Sequence, residues 1–233
     1  MNTDRHAQFP YRSVLAVCAH PDDESFGLGA VISTLGERGV VTSLLCFTHG
    51  EASTLGANNE DLALRRGHEL TAASNVLGLR SLRLHAYPDG HLAEVPVEEL
   101  CAQIELLVEE GDFDCLLAYD EGGITGHPDH RQATSAARVV ARGRGLPVLA
   151  WTLSRTVADA LNEEFGADFV GRELAEIDIT LEVDRTVQRT AIECHTSQSS
   201  DNAVLRQRLS LQGNTESLVW LDRDRRRHPR VSG

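Results

Sequence analysis

The sequence predicts an α/β fold in which helices are layered on a mostly parallel central sheet, and three observations carry that expectation. Short apolar runs of strand length alternate with longer segments of helical apolar period along most of the chain. The first run, Val14-Leu15-Ala16-Val17-Cys18, is apolar throughout, as a strand buried on both faces requires. Polar and charged clusters follow directly after several of these runs, and in open α/β sheets ligands bind beyond the carboxyl ends of the strands. Strands joined in this way by helices imply right-handed crossovers.

Residues 14–18 open the chain's order as a strand and deliver Ala19-His20-Pro21-Asp22-Asp23-Glu24. Pro21 fixes its own φ and biases His20 towards extended backbone, so the chain turns here before any helix begins. Residues 25–39 carry Phe26, Leu28, Val31, Ile32 and Leu35 near a helical period and end at Gly39. A strand over 40–47 runs into Thr48-His49-Gly50-Glu51 and a polar loop to Asn59, followed by a helix over 62–77 that Gly78 terminates. A strand over 81–87 leads to the turn Pro88-Asp89-Gly90, and a helix over 96–110 has Pro96 near its start and Gly111 past its end. The short buried strand 115–118 delivers the glycine-rich stretch up to His127-Pro128-Asp129-His130, and a helix continues over 130–140. A strand over 146–153, a helix over 157–165, a strand over 177–183, a helix over 187–194 and a strand over 218–222 complete the order.

The 233 residues, 41% of them hydrophobic, suffice for one sizeable core, and with no repeat or linker they predict a single domain over 1–233 with 1–12 and 223–233 as terminal tails. A net charge of −13 argues against a nucleic acid or an anionic membrane as partner. The arginine-rich stretch 223–230 runs the other way and reads as a solvated tail. Cys18, Cys46, Cys101, Cys115 and Cys194 are widely spaced, odd in number and without a CxxC pair, so they predict buried free thiols in a reducing compartment. No signal-peptide core and no membrane-spanning apolar run is visible, which predicts a cytoplasmic location.

Two charged clusters, each interrupted by a proline and each following a strand, can face one another. His20, Asp23 and one histidine of the second cluster, His127 or His130, then form a two-histidine, one-carboxylate set that leaves a coordination position for water. Imidazole nitrogen favours zinc over magnesium, with iron(II) or cobalt able to use the same set. The remaining histidine and Asp22 are left for proton transfer.

These residues resemble the LmbE-like (PIG-L type) N-acetylglucosaminyl deacetylases, a family of zinc-dependent hydrolases. The resemblance runs in order through Ala19-His20-Pro21-Asp22-Asp23-Glu24, Thr48-His49-Gly50-Glu51, Arg66-Gly67-His68-Glu69-Leu70 with Leu77-Gly78, Pro88-Asp89-Gly90, Gly126-His127-Pro128-Asp129-His130 and Ala191-Ile192-Glu193-Cys194-His195-Thr196-Ser197-Gln198. It implies a three-layer Rossmann-like fold and deacetylation of an N-acetylated amino sugar. It also implies His20, Asp23 and His130 as metal ligands, Asp22 as general base, His127 as acid or oxyanion partner, and Asp129 as the group that orients His127 and favours its imidazolium. Arg66, Asp89 and His195 are the implied substrate-binding residues. For Arg66 the alternative is a helix-surface arginine paired with Glu69, and for His195 a structural histidine. Thr125 stands where some sugar-thiol deacetylases carry a tyrosine. The segments 52–61 and 171–184 belong to no shared motif and are the expected seats of specificity. Relatives assemble in several sizes, so the resemblance also implies a homo-oligomer. The competing readings are a zinc amidase or esterase acting on a non-sugar acyl group and a non-catalytic, metal-stabilised sugar-binding protein. Nucleotide binding lacks a GxGxxG after the first strand.

Overall fold

Five parallel strands build the centre of the sheet: β1 (Ser13–Cys18), β2 (Val41–Thr48), β3 (Leu82–Tyr87), β4 (Cys115–Tyr119) and β5 (Val148–Ser154). The structure is a computed structural model, and it describes residues 9–55 and 61–222. A two-residue β6 (Gly171–Arg172) joins β5 in parallel, while β7 (Ile179–Glu182) and β8 (Thr215–Leu221) add an antiparallel edge, for a spatial order of β3-β2-β1-β4-β5-β8-β7. The expected tail 223–233 and most of the expected tail 1–12 lie outside the described residues.

Side chains alternate along a strand, and β1 shows what that alternation does. Val14, Ala16 and Cys18 enter one core, covered by α2 (Gly29–Glu37), α3 (Leu62–Val76), α7 (Arg155–Phe165) and α8 (Thr186–Cys194). Leu15, Val17 and the following Ala19 enter the other, covered by α4 (Val97–Glu110) and α6 (Pro128–Arg144). Helices thus pack on both faces of a sheet that is parallel through its centre, the three-layer α/β arrangement the sequence predicts.

The expected helix over 25–39 is broken in two, α1 (Asp23–Phe26) and α2, with Gly27 between them. A Cβ at Gly27 would overlap the Tyr119 hydroxyl, which donates to the Asp23 carbonyl from the end of β4. The cause of the break therefore sits on a strand far away in the chain. The helix expected over 130–140 is longer at both ends: Pro128 occupies the first turn and Gly145 closes it in the left-handed region. Two short helices, α5 (Gly123–Gly126) and α9 (Thr196–Ser199), and the longer α10 (Ala203–Gln212) have no counterpart in the sequence reading. In α10 the apolar stripe is interrupted by buried Arg208 and Gln212, which bond to the Phe26 carbonyl and to Glu216, so its period is masked.

The chain leaves β1 to build β2 and β3 on one side and returns to place β4 on the other. The carboxyl ends of β1 and β4 therefore flank the point where strand order reverses, and both charged clusters emerge there.

Replacing Gly27 by Ala should displace Tyr119 and cost about 1–3 kcal/mol, the usual range for overpacking. The check is urea denaturation, and an unchanged midpoint would contradict the tight Gly27–Tyr119 approach.

Candidate active site

Local backbone first brings the ligand atoms out. Asp23 starts α1, and its Oδ2 accepts the backbone N–H groups of Ala19 (3.0 Å) and His20 (2.9 Å), which folds the carboxylate back over the end of β1. Oδ1 is left facing His130 Nε2 at 3.0 Å. His130 stands in the first turn of α6, and its Nδ1–H donates to the Gly123 carbonyl at 3.2 Å. That bond settles the tautomer of the neutral ring and leaves Nε2 as the lone-pair atom. The carbonyl belongs to a strained turn, for the next residue, Ile124, has a φ of 65°.

His20 is 8% exposed and is held from both sides. Its Nε2 faces Asp129 Oδ2 at 3.3 Å and Asp89 Oδ1 at 3.1 Å, while its Nδ1 lies 3.2 Å from His130 Nε2. With the proton on Nε2, two imidazole lone pairs and one carboxylate oxygen converge. Such a set is stable only around a cation or an extra proton. In the metal-free chain the proton takes that part: burial opposes it, but Asp129, Asp89 and Asp23 raise His20 to about 10. Burial also raises Asp23, yet His130 and His20 outweigh it and hold the carboxyl below its usual range.

Two groups among the described residues could hold a metal ion, His20 with Asp23 and His130, and His20 with His127 and Asp129. The first fits better. Both oxygens of the fully buried Asp129 already accept backbone N–H groups, from Gly90 at 2.8 Å and Leu92 at 3.0 Å, and His127 Nδ1 accepts the Asp129 N–H at 3.2 Å. Asp129 on the far nitrogen of His20 is the carboxylate–histidine arrangement that fixes a metal-binding ring.

The expected partnership of Asp129 with His127 is thus redrawn. The backbone of Asp129, not its carboxylate, holds the His127 ring, and the carboxylate serves His20. Burial, then His130 and His20, lower His127, so in the metal-free chain it is pushed away from the expected imidazolium.

Asp22 sits beside this set in a strained conformation, with φ 124° and ψ −25°. A non-glycine residue held there costs about 1–3 kcal/mol and persists only where neighbours over-determine it. Burial, with Asp23 adding and Arg66 opposing, raises its carboxyl to about 6.

The three expected substrate-binding side chains are all buried. Arg66 does not pair with Glu69. Its guanidinium donates to the Gly50 and Pro21 carbonyls and to Asp22 Oδ2 at 2.9 Å, and it fills the space where a Cβ on Gly50 would stand. Glu69 pairs with Arg65 and receives Thr196 and Ser197. Asp89 holds His20 and accepts the Ala52 N–H at 2.7 Å. His195 has no exposed side-chain surface and meets Glu24 Oε1 at 2.6 Å. Burial lowers His195, yet Glu24 outweighs it and raises the imidazole. His195 therefore stands as the buried alternative, away from solvent.

Among the expected specificity segments, Ala52 and Ser53 contact Asp89 and Gln198, and residues 56–60 lie outside the described residues. Arg172, in the other segment, makes a two-pronged bond to the buried Asp120. Sequence reasoning gave no role to Glu24, Tyr119 or this Asp120–Arg172 pair. Glu24 alone carried a signal, as the fourth ionisable side chain of the first cluster.

A family described as GlcNAc-PI de-N-acetylase, PIG-L, matches residues 15–141, more than half of the chain and both clusters. The chain belongs to the PIG-L family. A probable N-acetyl-alpha-D-glucosaminyl L-malate deacetylase 2 of Bacillus anthracis is 31% identical over 220 residues, covering 91% of this chain and 93% of its own. Among solved structures, the A40926 pseudoaglycone deacetylase Dbv21 superimposes with a TM-score of 0.69 at 23% identity, over 89% of this chain and 95% of that one. The N,N'-diacetylchitobiose deacetylase of Pyrococcus horikoshii does so with a TM-score of 0.68 at 19% identity, over 91% and 84%. At such identities these two structures speak for the PIG-L fold. No helix among the described residues is long and apolar enough to cross a membrane.

His130→Ala should abolish stoichiometric metal binding, and Asp129→Asn should weaken it about 10- to 100-fold through His20. Metal titration with a chromophoric chelator checks both. Full affinity in the His130 variant would move the metal to the other group.

Proposed function

We propose that this chain is a zinc-dependent hydrolase that removes acetate from an N-acetylglucosaminyl conjugate. The observation that carries the reading is the convergence of His20 Nδ1, Asp23 Oδ1 and His130 Nε2 beside a strained Asp22 in a PIG-L chain. The malate-conjugate deacetylase activity named for the Bacillus anthracis relative supports a glucosaminyl conjugate as substrate class. The five free cysteines support a reducing, cytoplasmic setting.

His20, Asp23 and His130 would hold the ion. A zinc ion so held supplies Lewis-acid polarisation of the amide carbonyl and lowers the pKa of a water molecule. The chain's own residues do the rest. Asp22 accepts a proton as water adds to the amide carbon, and Arg66 keeps its carboxylate from swinging away. His127 has its Nδ1 occupied by the Asp129 N–H, which leaves Nε2–H as the donor for the developing oxyanion. When the C–N bond breaks, the oxygen of water stays with acetate and the proton that Asp22 took from that water passes to the departing amine, while His127 keeps its Nε2–H. A poor leaving group such as an amine needs that proton.

Asp22→Asn should retain zinc and lose turnover, measured as acetate released from N-acetylglucosaminyl malate, N-acetylglucosaminyl inositol and diacetylchitobiose. His127→Ala should lower kcat about 10²- to 10⁴-fold, the usual worth of acid–base and oxyanion groups, with zinc still bound. Undiminished turnover in the Asp22 variant would remove the base assignment. A zinc-loaded wild type that releases acetate from none of these probes would remove the deacetylase reading.

A further inference from the structure

Glu24 is the one ionisable residue of the first cluster that the reaction leaves without a task. Its side chain has no exposed surface, and its two oxygens are divided between two duties. Oε2 accepts the backbone N–H of Asp22 at 3.0 Å. Oε1 receives the Ser25 hydroxyl at 2.5 Å and faces His195 Nε2 at 2.6 Å. His195 is equally buried, and its Nδ1 has no hydrogen-bond partner among the described residues, so Glu24 is the polar partner of that ring.

The ring is mounted on a rigid corner. His195 ends α8 and precedes α9, its N–H donates to the Ile192 carbonyl, and its own carbonyl accepts Gln198 and Ser199. The edge of Phe26 packs on it with centroids 5.9 Å apart. On the opposite side of the Glu24 carboxylate stands the backbone of Asp22 at φ 124°. Left alone, a residue with a Cβ leaves that region. The Asp22 carbonyl accepts the Ser25 and Phe26 N–H groups, and two side chains hold the rest of the residue. Arg66 grips the Pro21 carbonyl and the Asp22 carboxylate from α3, and Glu24 grips the Asp22 N–H from below.

We propose that Glu24 and His195 form one positioning unit for the general base: His195 fixes the Glu24 carboxylate, and Glu24 pins the Asp22 backbone in the strained conformation that aims its side chain at the ligand set. The inference rests on the reading of Asp22 as base. It gives His195 a task in which it never touches substrate. It also separates the pair from an ordinary buried ion pair, because one of the two carboxylate oxygens is committed to the strained residue of the site.

The test uses the zinc-loaded full chain and two substitutions. His195→Leu removes the donor to Glu24, and His195→Gln restores an N–H near the position of Nε2. The leucine variant should lose about 10- to 100-fold in kcat with KM and zinc content unchanged, and the glutamine variant should recover most of it. If the leucine variant fails to fold, Glu24→Gln, which keeps the shape and loses one acceptor, should show the same kcat loss, and combining it with His195→Gln should add little. A rise in KM with kcat unchanged would return His195 to the pocket wall and overturn the proposal. So would a lower melting temperature with full kcat per bound zinc, the mark of a purely structural pair. The wild type in the same assay separates the two failures: if it turns over and the variants match it, the positioning unit is wrong. If the wild type is silent, the deacetylase reading has failed, and the unit is judged on a crystal structure of Glu24→Gln. Relaxation of Asp22 to negative φ there supports it, and an unchanged φ overturns it.

Discussion

Burying Asp23, Asp89 and Asp129 around one imidazole is the constraint on which the site depends. Carboxylates taken out of water are costly unless they are paired and hydrogen-bonded. Here the backbone supplies part of the compensation, through the N–H groups of Ala19, His20, Ala52, Gly90 and Leu92. The rest has to come from positive charge at His20, either a proton or a metal ion on its neighbouring lone pairs. A fold that places the ends of β1 and β4 on either side of the strand-order reversal makes this concentration of charge possible. It also biases the assembled pocket towards binding a cation.

Around that charged centre the chain uses strained backbone held by buried polar side chains. Asp22 and Ile124 both have positive φ, and each lies next to a group that aims a functional atom. Arg66, Glu24 and His195 surround the first. The second is flanked by the Gly123 N–H donated to the Asp120 carbonyl, by the Val170 N–H donated to the Ile124 carbonyl, and by the Gly123 carbonyl that orients His130. Arg66 illustrates the arrangement: its guanidinium ties the loops after β1 and β2 together and touches Asp22 in the same stroke. An arginine that on a helical wheel looks like a surface residue is therefore 3% exposed.

The local features were legible in the sequence. Apolar runs marked the five central strands, and charge placed directly after two of them marked His20, Asp22, Asp23, His127 and His130. What joins distant segments was not. Tyr119 breaks a helix that begins at Asp23, and no residue near Gly27 announces it. Asp129 lies next to His130 in sequence, which suggested that it serves its own cluster, yet its carboxylate reaches across to His20. The strands of the β7–β8 edge were legible over 177–183 and 218–222, but their antiparallel pairing was not, and α10 escaped notice because buried Arg208 and Gln212 interrupt its apolar periodicity. Arg66 and His195 drew attention as polar residues in shared motifs, and only the folded chain shows that both are buried.

The central claim is that one cation belongs between the two clusters, and anomalous X-ray scattering at the zinc edge from crystals of the zinc-loaded chain tests it most directly. The account predicts a single strong peak bonded to His20 Nδ1, Asp23 Oδ1 and His130 Nε2, with Asp129 on the far nitrogen of His20. A peak held by His127 and Asp129 instead, or zinc-loaded protein with no peak between the clusters, would contradict it.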